Sequence, residues 1–388
     1  MLVANRFRTM PAYVFAELAE ARKQVERQGH RVIDLGASDP DWPPPTVAVD
    51  TLMRAAREPE SHHYPPYRGW LKLREGIARW YRRRFGVELD PEREVLITHG
   101  SKEGLAHLAL AVVEPGGLIL YPDPGYPTYR MVGPLYGLAA KPLPLDPAVG
   151  YLPDFGRVKA GDWERAQLMY LNYPNNPTGA VASLDFWRRA VEWAQRWDVV
   201  ICSDLAYVDF VWEGEAVSVL QVPEARDLAV ESLTFSKSYS MQGWRLGALV
   251  GSAEILEAVY KIETQVQSGV FLAVQKAGLA ALEAGPNPAA LAEYRARRDW
   301  VGRQLGEMGW RVAPPQATLY YWLPLPGGWG SEEYAQRLLQ VAHVAVTPGT
   351  AFGASGHHHL RLSLTRPKNE LERAFAQWRS ALPELLAP

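Results

Sequence analysis

The chain has 388 residues, 47% of them hydrophobic and 22% charged, which is the composition of an ordinary globular protein with room for two domains. Lys plus Arg (41) nearly balance Asp plus Glu (43), which argues against a nucleic-acid partner or a membrane surface as the main target. Cys202 is the single cysteine, so an internal disulfide is excluded and a reducing, cytoplasmic setting is expected; the opening MLVANRFRTMPAYVF contains no signal-peptide or membrane-span pattern.

The first helical pattern runs from Val14 to Gln28, with Gly29 as its stop. Ile33–Leu35 then leads into Ser38-Asp-Pro-Asp-Trp-Pro-Pro-Pro45, a proline-rich crossing between domains. Trp70, Leu73, Ile77, Trp80 and Tyr81 mark one face of a helix. Strand-like runs follow at Glu94–Thr98, Leu118–Tyr121, Gln167–Asn172, Val199–Ser203, Glu231–Phe235 and Leu246–Gly251. Helical patterns at Leu105–Val113 and Phe186–Trp197 fall between them. This alternation predicts an α/β fold with a mostly parallel sheet flanked by helices. Gly285-Pro-Asn-Pro288 breaks the chain, and a polar helix follows from Leu291 to about Met308. Apolar runs at Tyr320–Leu323, Val344–Thr347 and Leu360–Leu364 then predict a smaller α+β domain. The expected division is an arm and helix over 1–45 that packs with the small domain, a large domain over 46–284, and the small domain over 285–388.

In open α/β sheets, ligands bind beyond the carboxyl ends of the strands. Here successive strand ends carry His99-Gly-Ser-Lys102, Pro122-Asp-Pro-Gly-Tyr-Pro127, Tyr173-Pro-Asn-Asn-Pro-Thr-Gly179, Asp204-Leu-Ala-Tyr207 and Ser236-Lys237. Gly100-Ser101-Lys102 opens a helix, where N–H groups, a hydroxyl and the helix dipole suit a phosphate; a simple cap by Ser101 is the alternative. Asp204 ends a buried strand and needs a cation or a strong donor. A protonated pyridine nitrogen would serve, as would a helix cap or a structural ion pair. Lys237 at a strand end would be partly desolvated, which favours the neutral, nucleophilic amine; a solvated surface lysine is the alternative. Arg245 in Gly243-Trp-Arg-Leu-Gly247 suits a phosphate, and Arg361 in His359-Leu-Arg-Leu-Ser363 suits a carboxylate held by its fork. A surface salt bridge is the alternative for both.

Together these residues resemble the fold-type I pyridoxal-phosphate (PLP) enzymes, specifically the class I/II aminotransferases, over almost the whole chain. Thr234-Phe-Ser-Lys-Ser-Tyr-Ser-Met-Gln-Gly-Trp-Arg-Leu-Gly247 is similar to the family's Ser-Lys signature. Asn175-Asn-Pro-Thr-Gly179 and Asp204-x-x-Tyr207 match two further motifs. The resemblance implies a transaminase that moves an amino group from an L-amino acid to a 2-oxo acid through a Schiff base on Lys237. It implies that Asp204 holds the ring nitrogen protonated and that Tyr207 and Asn176 bond the ring's phenolic oxygen. Tyr126 would stack on the ring, and Ser101, Lys102, Ser236 and Arg245 would bind the phosphate with Thr234 nearby. Arg361 would grip the substrate α-carboxylate. Tyr64, in Tyr64-Pro-Pro-Tyr-Arg-Gly69, would reach the phosphate of the neighbouring subunit in a homodimer. The loop Thr347-Pro-Gly-Thr-Ala-Phe-Gly353 would sit near the site entrance.

One position departs from the family pattern. Gly36-Ala-Ser-Asp-Pro40 stands where relatives commonly have Gly-x-Gly-Asp-Pro; the resemblance implies that the added hydroxymethyl of Ser38 would either narrow the substrate site or add a hydrogen bond. The wording of Gly100-Ser-Lys-Glu-Gly104 and Asp123-Pro-Gly-Tyr-Pro127 resembles the diaminopimelate and succinyl-diaminopimelate branch, with aspartate and alanine left open as donors. Two rivals stand beside transamination. A C–S β-lyase would use the same Lys237, Asp204 and Arg245, and a non-catalytic PLP-binding regulator would keep only the ligand site. The basic run Arg79-Trp-Tyr-Arg-Arg-Arg84 reads as the solvent face of an amphipathic helix rather than a nucleic-acid surface. His357-His-His359 cannot converge on one metal ion as a strand, because alternate side chains point apart. No metal site is expected.

Overall fold

The computed structural model describes residues 2–10 and 14–386; Met1 and residues 11–13 of the expected N-terminal arm, and residues 387–388, lie outside the described residues. The first half of the chain forms α1 (Asn5–Thr9), α2 (Val14–Arg27), β1 (Ile33–Asp34), α3 (Thr46–Ala55), α4 (Leu71–Phe85), β2 (Val95–Thr98), α5 (Ser101–Val112), β3 (Leu118–Asp123), α6 (Pro127–Tyr136), β4 (Ala139–Asp146), β5 (Leu152–Pro153), α7 (Ala160–Trp163), β6 (Ala166–Asn172) and α8 (Leu184–Trp197). The second half forms β7 (Val200–Asp204), β8 (Ala229–Thr234), β9 (Gly247–Gly251), α9 (Ala253–Val266), α10 (Leu272–Ala284), α11 (Pro288–Glu307), β10 (Tyr320–Pro324), α12 (Ser331–Ala342), β11 (Val344–Ala345), β12 (Thr347–Pro348), β13 (His359–Ser363) and α13 (Lys368–Leu386).

The main sheet has eight strands in the order β2-β9-β8-β7-β6-β3-β4-β5. Strands β8, β7, β6, β3 and β4 pair in parallel. Strand β9 is antiparallel to both β8 and β2, so β2 points the same way as the parallel set. The carboxyl ends of β2, β8, β7, β6 and β3 therefore share one edge, and β9 begins at that edge. Its first residue, Gly247, lies opposite Thr98 on one side and Thr234 on the other.

These strands read as continuous apolar runs because helices cover both faces of the sheet. Val95, Ile97 and Ala248 pack with Leu73, Ile77 and Ala277 of α4 and α10, whereas Leu96, Leu249 and Val230 pack with Leu105, Leu108 and Val259 of α5 and α9. Helix α4 buries Trp80, Tyr81 and Phe85 and exposes Arg79, Arg82, Arg83 and Arg84, so the basic run is its solvent face. Strand β4 is not legible in the sequence, since Pro142 and Pro144 speak against a strand. Both are tolerated because β4 has a full partner only in β3; on its other side β5 pairs just Leu145 and Asp146.

A second sheet, β10-β13-β12, is antiparallel, and β1 pairs in parallel with β11. Val14 and Phe15 of α2 pack against Trp322, Ala351 and Phe352. The start of the chain is thus joined to its C-terminal part, and the turn after β1 is carried to the edge of the main sheet. Among the described residues no helix is long and apolar enough to cross a membrane.

Candidate active site

One cavity of about 1030 Å³ opens at the shared strand edge, between the two sheets. Ser38, Ser101, Lys102, Tyr126, Asn176, Asp204, Tyr207, Thr234, Ser236, Lys237, Arg245 and Arg361 all line it. Of the residues the resemblance assigned to the cofactor or the substrate, Tyr64 is the one absent from its wall. That side chain is 85% exposed in the single chain.

Sheet register builds the floor of the cavity. Asn172, Asp204 and Ser232 lie side by side at the ends of β6, β7 and β8. The Asn172 amide donates to the Asp204 carbonyl (2.8 Å) and to the Pro174 carbonyl (3.2 Å), and its oxygen accepts from the Asn176 N–H (2.9 Å). Asn172 therefore ties the turn that carries Asn176 to the strand that carries Asp204. The Asp204 carboxylate is buried; Oδ2 accepts from the Tyr129 hydroxyl (2.6 Å) and Oδ1 from the Ala206 N–H (3.1 Å). Both donors are neutral. Burial pushes the Asp204 carboxyl up to about 6, and the bonds from Tyr129 and Ala206 only partly offset it. A carboxylate held this way is completed by a cation.

Ser101 is the first residue of α5, and Gly100 precedes it at φ +76° in the left-handed region. The cap is thus Gly100 rather than Ser101. A Cβ on Gly100 would lie 2.4 Å from Arg245 Nη2, and one on Gly247 would lie 2.7 Å from Ser101 N. Both glycines let Arg245 and the α5 N-terminus close on one spot. Arg245 donates to the carbonyls of Gln242 (2.9 Å) and His99 (3.4 Å), and the Thr234 hydroxyl donates to Ser236 Oγ (3.0 Å). Lys102 and Tyr126 meet nearby, with the ammonium 5.7 Å from the ring centre.

Lys237 Nζ donates to the Ser38 carbonyl at 2.7 Å. That carbonyl is delivered by the turn after β1, where Asp34 Oδ1 accepts from the Gly36 and Ala37 N–H groups (2.8 and 3.0 Å). The opposite wall is Arg361 on β13, which is 1% exposed. Its Nη1 donates to Asn176 Oδ1 (3.2 Å) and its Nη2 to the Gly36 carbonyl (2.8 Å). Its carbon centre sits 4.1 Å over the Tyr320 ring and 4.8 Å over Phe352. Nε is buried without a hydrogen-bond partner, and among the described residues no carboxylate pairs with this guanidinium. A buried cation in a cavity wall, with no carboxylate partner among the described residues, suits an anionic ligand. Tyr207 shares a 2.9 Å hydrogen bond with Tyr320 between their hydroxyls.

Some members of the wall escape sequence reasoning. Tyr129 had a signal, since it lies three residues after Tyr126 in a helical segment and so on the same side. Asn172 was visible as a polar residue ending an apolar run. Phe15, which lines the cavity, and Tyr320, which stacks on Arg361, looked like ordinary core aromatics.

The cavity thus gathers Arg245 beside the start of α5, the buried acid Asp204 and the amine of Lys237. The chain belongs to the class I and II aminotransferases, whose family model matches residues 30–377. It is 42% identical over 387 residues to the LL-diaminopimelate aminotransferase of Moorella thermoacetica, covering 98% of this chain and 99% of that one. The enzyme of the same name from Aquifex aeolicus is 40% identical over 374 residues, covering 96% and 97%. Among solved structures, substrate-bound BacF from Bacillus subtilis superposes with a TM-score of 0.93 at 34% identity, covering 98% of each chain. The aspartate aminotransferase of Thermotoga maritima gives 0.91 at 29%, covering 98% of this chain and all (100%) of that one. The protein is a PLP-dependent transaminase of fold type I.

Proposed function

We propose that this chain transfers the amino group of an amino acid of the LL-diaminopimelate type to a 2-oxo acid, with PLP held covalently by Lys237. The observation that carries the reading is the convergence of Lys237, Asp204, Asn176 and Arg361, from separate elements, on one cavity. The names of the relatives support the donor class.

The residues suit the cofactor. Ser101, Lys102, Ser236 and Arg245 would hold its phosphate with Thr234 nearby, Asp204 its ring nitrogen, Asn176 and Tyr207 its phenolic oxygen, and Tyr126 its face. When bound, PLP supplies an electron sink for the pair left on the substrate Cα. Asp204 would face the ring nitrogen, where its buried charge would favour the protonated form. Arg361 holds the substrate α-carboxylate and so fixes which Cα bond faces Lys237. Lys237 Nζ would take the Cα proton of the bound substrate. Ser38, through its carbonyl, is the resting partner of that amine. The reading includes a homodimer in which Tyr64, exposed and outside its own cavity, reaches the partner's site. It also includes a cytoplasmic location, supported by the single buried thiol of Cys202.

A donor panel with 2-oxoglutarate as acceptor tests this function. LL-diaminopimelate should be the preferred donor, and Lys237→Ala should fold yet show no turnover. Transamination by that variant at the wild-type rate would sink the assignment. Release of pyruvate and ammonia from cystathionine without a 2-oxo acid would favour the β-lyase instead.

A further inference from the structure

A second polar cluster lies where α5 packs on α9, and none of its members lines the cavity. Glu103 and His107 are four residues apart on α5 and so share a face. Glu263 of α9 meets them there, and one donor atom from each of the three lies within 4.8 Å of the others. We propose that Glu103, His107 and Glu263 bind one divalent transition-metal cation of the Zn²⁺ or Mn²⁺ kind.

Charge is the first argument. The Glu263 side chain is fully buried (0% exposed), and among the described residues it has no Lys or Arg partner. His107 Nδ1 lies 2.7 Å from Glu263 Oε1, while the Gln267 amide donates to Oε2. Glu103 has only His99, whose N–H donates to Oε2 at 2.7 Å and whose ring nitrogen lies at 3.5 Å. Among the described residues the two carboxylates therefore have imidazoles as their close counter-charges, and a buried carboxylate needs such a charge.

Ligand chemistry is the second argument. One imidazole with two carboxylates suits Zn²⁺ or Mn²⁺ better than Ca²⁺ or Mg²⁺, which take oxygen ligands almost alone. Zn²⁺ binds such donors at about 2.0–2.2 Å, so the three must close in. Glu263 is held by Gln267, so the approach falls to half-buried Glu103, which would turn about its bond from the His99 N–H. Gln267 and His99 each orient one carboxylate, as outer partners do in metal sites. The cation would tie α9 to α5, whose first turn carries Ser101 and Lys102.

Calorimetric titration of chelator-treated holoenzyme with Zn²⁺ tests the site. The expected result is one equivalent per chain at pH 8, at least about tenfold weaker at pH 6 because the proton competes. Glu263→Gln and His107→Gln should each abolish that equivalent, and Gln267→Leu should weaken it by about 10- to 100-fold. The pH and chelator arms use the wild-type chain, so they stand even if a variant folds poorly. No saturable equivalent in the wild type would overturn the proposal and leave a proton-bridged His–Glu pair. Undiminished binding in both ligand variants would also overturn it, by placing the ion elsewhere, as at the exposed histidines His357 and His358.

Discussion

Asp204→Asn should make the cofactor-free protein more stable while removing most of its activity. In the folded chain the Asp204 carboxyl holds its proton up to about 6, against an ordinary value of 3.8. Its folded value is raised, so the cost of ionising it is absent below the ordinary value. The cost grows as pH rises through the window from about 4 to about 6 and is complete above it. At ~1.4 kcal/mol per pKa unit, that cost is roughly 3 kcal/mol. Asparagine never carries the charge. Its oxygen can still accept from the Ala206 N–H, and the Tyr129 hydroxyl can turn to accept from the amide, so the lost hydrogen bonding costs at most about 1 kcal/mol. The variant should therefore match the wild type near pH 4 and exceed it by roughly 2–3 kcal/mol at pH 8. Urea unfolding of both cofactor-free proteins from pH 4 to pH 8 measures the difference, and the subtraction cancels other buried acids such as Glu231. Transamination should fall on the order of 10²-fold or more, because the charge that stabilises the ring proton is gone. A difference that does not change with pH, or a variant less stable at pH 8, would refute the reasoning.

Three other outcomes follow from the geometry. Arg361→Leu should lower kcat/KM for amino acids by at least ~30-fold, since truncating one member of a buried charge pair costs about 2–5 kcal/mol; an unchanged value would show that the carboxylate binds elsewhere. Gly247→Ala should cost about 1–3 kcal/mol and loosen the cofactor, because its Cβ meets backbone rather than a mobile side chain; thermal unfolding and cofactor dissociation read both effects. Coexpression of Tyr64→Ala with Lys237→Ala chains should restore activity in about a quarter of the sites, since only mixed dimers pair an intact Lys237 with an intact Tyr64. No recovery would place Tyr64 outside the neighbour's site.

Much of the site was legible as punctuation. Apolar runs bounded by Gly, Pro, Asn and Asp marked the strands, and the reactive residues stood at their carboxyl ends. A parallel sheet brings such ends to one edge, so order along the chain already predicted nearness in space. The readings of Lys237, Asp204 and Arg361 rested on chemistry that residue type supplies: an amine, an acid and a fork. Strand β4 was hidden because its prolines are acceptable only beside a nearly open edge, and edge position is not written locally. Tyr320 and Phe15 were hidden for a related reason, since an aromatic ring reads as core until a cation is seen against it.

The chain's own residue order thus decided the fold class and the chemical parts of the site, because periodicity and strand-end residues are local properties. Folding decided the rest. Arg361 became a buried cation without a carboxylate partner among the described residues only when β13 enclosed it, and Asp204 became a hard-to-ionise acid only when burial left it the neutral donors Tyr129 and Ala206. Glu263 acquired His107 and Glu103 as neighbours only through the packing of α9 on α5. Burial and counter-charge depend on contacts between residues far apart in the chain, and no local pattern encodes them.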